Sequence, residues 1–193
     1  MLRILLLFLF ISPALQAQEF DLSKMPEGFS FQSQGGDGLA TVRYIRREGQ
    51  RYIFEEMFVE LDGTTTTTTI HTNRASQTTY SELNGDGAYY YPHDCAPFMG
   101  SCDYTWTDKD DRFEMRAITR LVGDVWVSEE YFLDQGEWVF WNKDCATFDE
   151  FGFWVDFVRI FDNGDSYFGA RVRQGDNRLD ELWNICQPPE LTS

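Results

Sequence analysis

The chain has 193 residues and a formal net charge of −16, with 32 acidic side chains against 16 basic ones. That balance repels polyanions, which excludes nucleic acid and anionic lipid head groups as natural partners. The length suits one domain with a substantial core, and aromatic residues make up 17% of it, an excess that the fold must either hide or use.

Residues 1–17 have the three parts of a cleavable signal peptide: Arg3, the apolar run from Ile4 to Ile11, and small residues up to Ala17 after the Ser12-Pro13 break. The run is far shorter than the roughly 20 residues that span a bilayer. The mature chain is therefore expected to be exported, to a periplasm or to the extracellular space, with no integral membrane segment. Residues 18–38 read as an irregular lead-in, because Pro26, Gly28 and Gly35-Gly36-Asp37-Gly38 are loop formers.

From Leu39 to Gln187 the pattern is that of an all-β domain. Strands are expected near 39–47, 51–61, 64–72, 76–83, 87–91, 103–107, 112–121, 125–133, 137–142, 151–161 and 166–173. Between them stand turn pairs such as Glu48-Gly49, Asn84-Gly85, Gly123-Asp124 and Asn163-Gly164. Strands joined by tight turns are antiparallel neighbours. The fold class is thus mainly β: a single-domain antiparallel meander, a curved sheet or small β-barrel of roughly 8–11 strands with minimal helix. A turn or two of helix is expected near Leu179–Trp183, and a flexible tail is expected over 188–193. The threonine run Thr64–Thr69 reads as a solvated edge or outer strand.

Two segments resemble each other. Residues 46–58 and 120–132 share Arg46/Arg120, Gly49/Gly123, Glu55/Glu129, Glu56/Glu130 and Phe58/Phe132. A tight turn at each glycine sets Arg46 opposite Ile53 and Arg120 opposite Val127. Glu55 and Glu129 then lie diagonal to those arginines, about 7–8 Å away, on the faces that hold Met57 and Val59, or Tyr131 and Leu133. Two carboxylates in one cavity could divide acid and base roles in a hydrolase. A carboxylate held by its own arginine is instead lowered in pKa, the wrong direction for a general acid.

Four cysteines in an exported chain imply two disulfides, Cys95–Cys102 and Cys145–Cys186. Their spacing does not suit zinc, and neither His71 nor His93 belongs to a nucleophile or metal motif, so no metal and no cofactor is expected. The acidic turns at 84–87, 108–111 and 162–165 concentrate oxygen ligands, but hairpin chemistry explains Asp, Asn and Gly there before Ca2+ does.

Some strands are apolar on both faces. Phe151–Phe161 and Trp138-Val139-Phe140-Trp141 carry large rings on each side, so they are covered twice, by a core and by a second layer, a partner or a ligand. The ligand-binding candidates are Trp126, Trp138, Trp141, Phe153 and Phe157. The reading that follows is a non-catalytic exported barrel that recognises an apolar or amphipathic small molecule, or a protein partner, through an aromatic-rich face. The alternatives are a structural or assembly subunit of the cell envelope, and a carboxylate-dependent hydrolase using Glu55 and Glu129.

Overall fold

A computed structural model describes residues 20–74, 78–83, 86–92, 99–108, 111–173 and 177–187. The segments read from sequence as a signal peptide and a tail, together with His93 and Cys95, lie outside the described residues. A 3-10 turn, Leu22–Lys24, precedes twelve strands: β1 Ser30–Gly35, β2 Gly38–Glu48, β3 Arg51–Glu60, β4 Thr65–Thr72, β5 Thr78–Leu83, β6 Asp86–Pro92, β7 Gly100–Asp108, β8 Asp111–Val122, β9 Val125–Asp134, β10 Glu137–Phe148, β11 Trp154–Phe161 and β12 Ser166–Arg171. One helix, α1, follows over Leu179–Cys186.

Each strand pairs antiparallel with the next, and β1 also pairs with β12, so the meander closes into a barrel. Closure leaves no strand edge for another chain to extend. The seam is short: Ser33, Gln34 and Gly35 face Arg171, Ala170 and Gly169. The mainly β meander of the sequence reading is what forms, with more strands than expected. The additional strand, β1, lies in the stretch read as irregular. Its sequence Ser30-Phe31-Gln32-Ser33-Gln34 has few β-formers, and its place in the sheet comes from tertiary pairing on both sides. Gln34 Nε2 ties the following turn by donating to the Gly38 carbonyl at 3.0 Å. The threonine run is likewise no edge strand, because β4 lies between β3 and β5.

Tight turns set the register where expected. Gly49 and Gly123 take the left-handed backbone conformation (φ 61° and 67°), and Arg46 faces Ile53 as Arg120 faces Val127. Gly38 marks a close approach of β2 to β3. A Cβ there would lie 2.1 Å from the Val59 carbonyl oxygen. Gly38→Ala should therefore destabilise the fold by about 1–3 kcal/mol through forced strand separation, read as a lower urea midpoint with an unchanged slope.

Inside and outside follow from contacts that cross the ring. Phe153, just before β11, stacks edge-on with Phe54 of β3 at 4.9 Å between centroids and also touches Phe31 of β1. The side chains that share a face with Phe54 and Phe31 therefore point into the lumen. Phe20 reaches Trp126 of β9 and Phe148 of β10, while Leu22 packs with Val42, Tyr52 and Phe54. The N-terminal segment thus crosses and plugs one end of the barrel. Bidentate bonds from Arg74 to Asp21, both 2.8 Å, hold it there.

α1 covers the outer wall. Leu182 and Cys186 pack on Val125, Val127, Cys145 and Val158, all essentially inaccessible. Lys143 Nζ donates to the Ile185 and Gln187 carbonyls at 3.2 and 3.1 Å, which places a cation at the carbonyl end of the helix. The expected Cys145–Cys186 disulfide is corrected: both are buried free thiols. They are neighbours nevertheless. The Cys145 thiol, and then burial, push the Cys186 thiol well above its ordinary pKa, and Cys186 Sγ reaches the Lys143 and Val158 carbonyls at 3.5 Å. Cys102 is disulfide-bonded; its expected partner, Cys95, lies outside the described residues.

Candidate functional site

Eight strands make a barrel just wide enough for its own side chains, and sixteen or more leave a channel. Twelve lie between, so side chains line this lumen as well as fill it. The plugged end is mostly apolar, with one ion pair, Arg171–Asp149, whose guanidinium lies over the Phe31 ring. Further along, the inward face changes character. Glu130 of β9, Asn142 and Asp144 of β10, Arg159 of β11, Tyr167 of β12 and Tyr104 of β7 all share the lumenal face, by strand alternation and by register.

These residues form one connected belt. Arg159 grips Asp144 bidentately, both bonds 2.6 Å. Glu130 accepts from the Tyr104 hydroxyl at 3.0 Å and from Asn142 Nδ2 at 2.9 Å. Met115, 2% exposed, lies between Tyr104 and Phe132 beneath this bridge. Burial pushes the Glu130 carboxyl up in pKa, and the nearby Asp144 charge adds to that. Arg159 and the two hydrogen bonds oppose both effects without cancelling them. Burial also raises Tyr104, with Glu130 contributing.

Glu56 of β3 completes the belt on the opposite wall. It shares the lumenal face with Tyr52, Phe54 and Phe58. Burial raises its pKa, and its charge is close enough to raise Tyr167 after burial has done so. Among the described residues no cation pairs with Glu56, whereas Arg159 is committed to Asp144. Thr66 and Thr68 flank it on β4.

Rings wall the lumen on either side of the belt. Trp106 lies between Phe113 and Trp141, stacked on both at 4.9 and 6.0 Å. Trp154 meets Phe157 edge-on at 4.4 Å, and Gly169 makes room for them, since a Cβ there would approach the Phe157 ring to 2.8 Å. Two polar atoms of this region are buried without a partner: Asn142 Oδ1 and Trp106 Nε1.

Of the ring candidates from sequence, Trp141 and Phe157 line the lumen beside the belt. Trp126 and Phe153 belong to the packed plug. Trp138 is on the outer wall, with the Arg116 guanidinium over its ring at 4.2 Å. The five therefore do not line one cavity.

Glu55 and Glu129 are not brought together. Both face outward, on β3 and β9, which lie six places apart in a ring of twelve. Glu129 pairs with Arg120 at 3.1 Å, as expected. Glu55 pairs with Arg43 rather than with Arg46, which bonds Glu48 instead. A bulge between Tyr44 and Arg46 shifts the register and sets Arg43 directly opposite Glu55. The glutamates that reach the lumen are the second of each repeated pair, Glu56 and Glu130. The outward rows of Arg43–Glu55, Asp103–Arg116 and Arg120–Glu129 are the reverse of the apolar band a lipid-facing barrel presents. Among the described residues no group of His, Cys, Asp and Glu is arranged to hold a metal ion.

A twelve-stranded antiparallel barrel, plugged at one end and carrying a charged belt between aromatic walls, is the class that the geometry defines. No family model, curated protein or solved structure matches the chain.

Proposed function

We propose that this is an exported, non-catalytic binding protein that holds an amphipathic small molecule inside its barrel. The observation that carries the reading is the belt itself. A barrel selected only for stability would fill its interior with apolar side chains. Here Glu130, Asn142, Asp144 and Arg159 sit in a lumen walled by rings, at a cost in desolvation. Small-molecule sites have this composition: mostly apolar and aromatic walls with a few convergent polar groups that orient the ligand. Export accounts for the acidic surface and for a bonded Cys102.

Organic extraction of the purified protein followed by mass spectrometry tests the reading, together with intrinsic fluorescence of Trp106 and Trp141. The expected result is a stoichiometric co-purified molecule, or a saturable fluorescence change with added amphiphiles. Trp141→Ala should weaken that binding by about tenfold, the equivalent of about 1.4 kcal/mol. A protein that extracts clean and shows no saturable change with any amphiphile is not a lumenal binder.

The envelope-subunit reading draws on a different surface. Outside the barrel, Tyr131 meets Phe140 edge-on at 5.7 Å beside Trp138 and the exposed Leu133. A stable oligomer by light scattering that dissociates on Trp138→Ala would favour that reading.

A further inference from the structure

We infer that the ligand's polar end is a protonated amine, seated on Glu130 with its apolar body among the lumenal rings. The inference rests on the lumenal-binding reading above and names the chemistry of the ligand.

Charge in the belt points one way. Arg159 is the only cation on it among the described residues, and both of its arms are taken by Asp144. Among the described residues Glu130 receives only neutral donors, the Tyr104 hydroxyl and Asn142 Nδ2, and Glu56 has no cation partner. An anionic ligand would add a further negative charge to this set in a low-dielectric space, where repulsion between like charges is strong. A cation would complete it.

A second, independent observation gives the cation its protons. Asn142 is completely buried, yet its Oδ1 has no hydrogen-bond donor. Its Nδ2 lies on Glu130 Oε2, so the orphan acceptor belongs to the same amide that touches the carboxylate. A buried acceptor left open costs free energy until a donor arrives. An ammonium N–H supplies that donor and the countercharge together. A quaternary ammonium supplies the charge alone. Trp106 Nε1, an unpartnered donor near the belt, lies within the ring stack rather than on the carboxylate. The faces of Trp106 and Trp141 suit an apolar body and tolerate a nearby positive charge.

The test is a set of probes with one twelve-carbon chain and four head groups: dodecylamine, dodecyltrimethylammonium, dodecanol and dodecanoate, titrated into the mature protein with tryptophan fluorescence as the readout. Dodecylamine should bind about tenfold or more tighter than dodecanol, with the trimethylammonium probe between them and dodecanoate weakest. Glu130→Gln should remove the preference for the amine over dodecanol. Glu56→Gln, on the opposite wall, should reduce the preference in part, and it tests the charge argument if the first variant does not fold. Dodecanol or dodecanoate binding as tightly as dodecylamine overturns the inference and leaves the lumenal-binding reading standing. Failure of all four probes overturns both.

Discussion

Arg159→Leu should lower the free energy of unfolding by about 1–3 kcal/mol, because it breaks a half-buried, bidentate ion pair from one side. The guanidinium is the sole cation of the lumenal belt among the described residues and makes two 2.6 Å bonds to Asp144. Without it the half-buried Asp144 carboxylate loses its partner. Glu130 also loses the charge that opposes its upward pKa shift. The loss should therefore grow as the pH rises, since Glu130 then carries charge that nothing offsets. Replacing the partner as well, in Asp144→Asn with Arg159→Leu, should recover most of the stability, because the expensive species is the unpaired charge and not the missing bond. Urea unfolding of the wild type and the three variants completes the cycle. Equal losses in the single and double variants would mean that Arg159 acts through packing alone.

Register was legible from sequence where turns were short. Asn, Asp and Gly between β runs, with glycine free to adopt positive φ at Gly49 and Gly123, fixed the hairpins and so the antiparallel meander. β1 was not legible, because Ser and Gln strands carry no local signal and are held by pairing with β2 and β12. The belt was half legible. Alternation separates Glu55 from Glu56 and Glu129 from Glu130, but it does not say which set faces inward. Ile53, Met57 and Val59 look like a core face, and the rings Tyr52, Phe54 and Phe58 look equally like one. In a closed barrel the rings turn inward, since only the lumen has room to bury them, and Met57 is left exposed. The bulge between Tyr44 and Arg46 has no signature in the residues around it, which is why Glu55 meets Arg43. Contacts that skip a strand, such as Tyr104 of β7 to Glu130 of β9 over β8, depend on barrel curvature and lie beyond any reading of neighbouring strands.

Glu130→Gln should make the empty protein more stable at neutral pH, by on the order of 1–4 kcal/mol, as happens when a buried charge gives way to a neutral side chain of similar shape. The folded-state pKa of Glu130 is raised above its ordinary value of 4.5, first by burial and then by Asp144. A carboxyl of that kind binds its proton more tightly in the folded chain than in the unfolded one. Its contribution is fully present below the unfolded value and is lost as the pH rises through the folded one. The advantage of the glutamine variant should thus be greatest at pH 7–8 and should vanish below about pH 4.5. The amide also suits the site. Its carbonyl can accept from the Tyr104 hydroxyl, and its NH2 can donate to Asn142 Oδ1 once that amide turns over, satisfying the atom that has no partner in the native belt. Thermal unfolding across this pH range measures the effect, and a gap independent of pH would show that Glu130 is not charged at the expense of the fold. A side chain that weakens the protein it belongs to needs another reason to be there. A cation bound only by the folded state would return the lost stability in proportion to its concentration and affinity. Dodecylamine should accordingly raise the unfolding temperature of the wild type at pH 7 and leave that of the Glu130→Gln variant nearly unmoved.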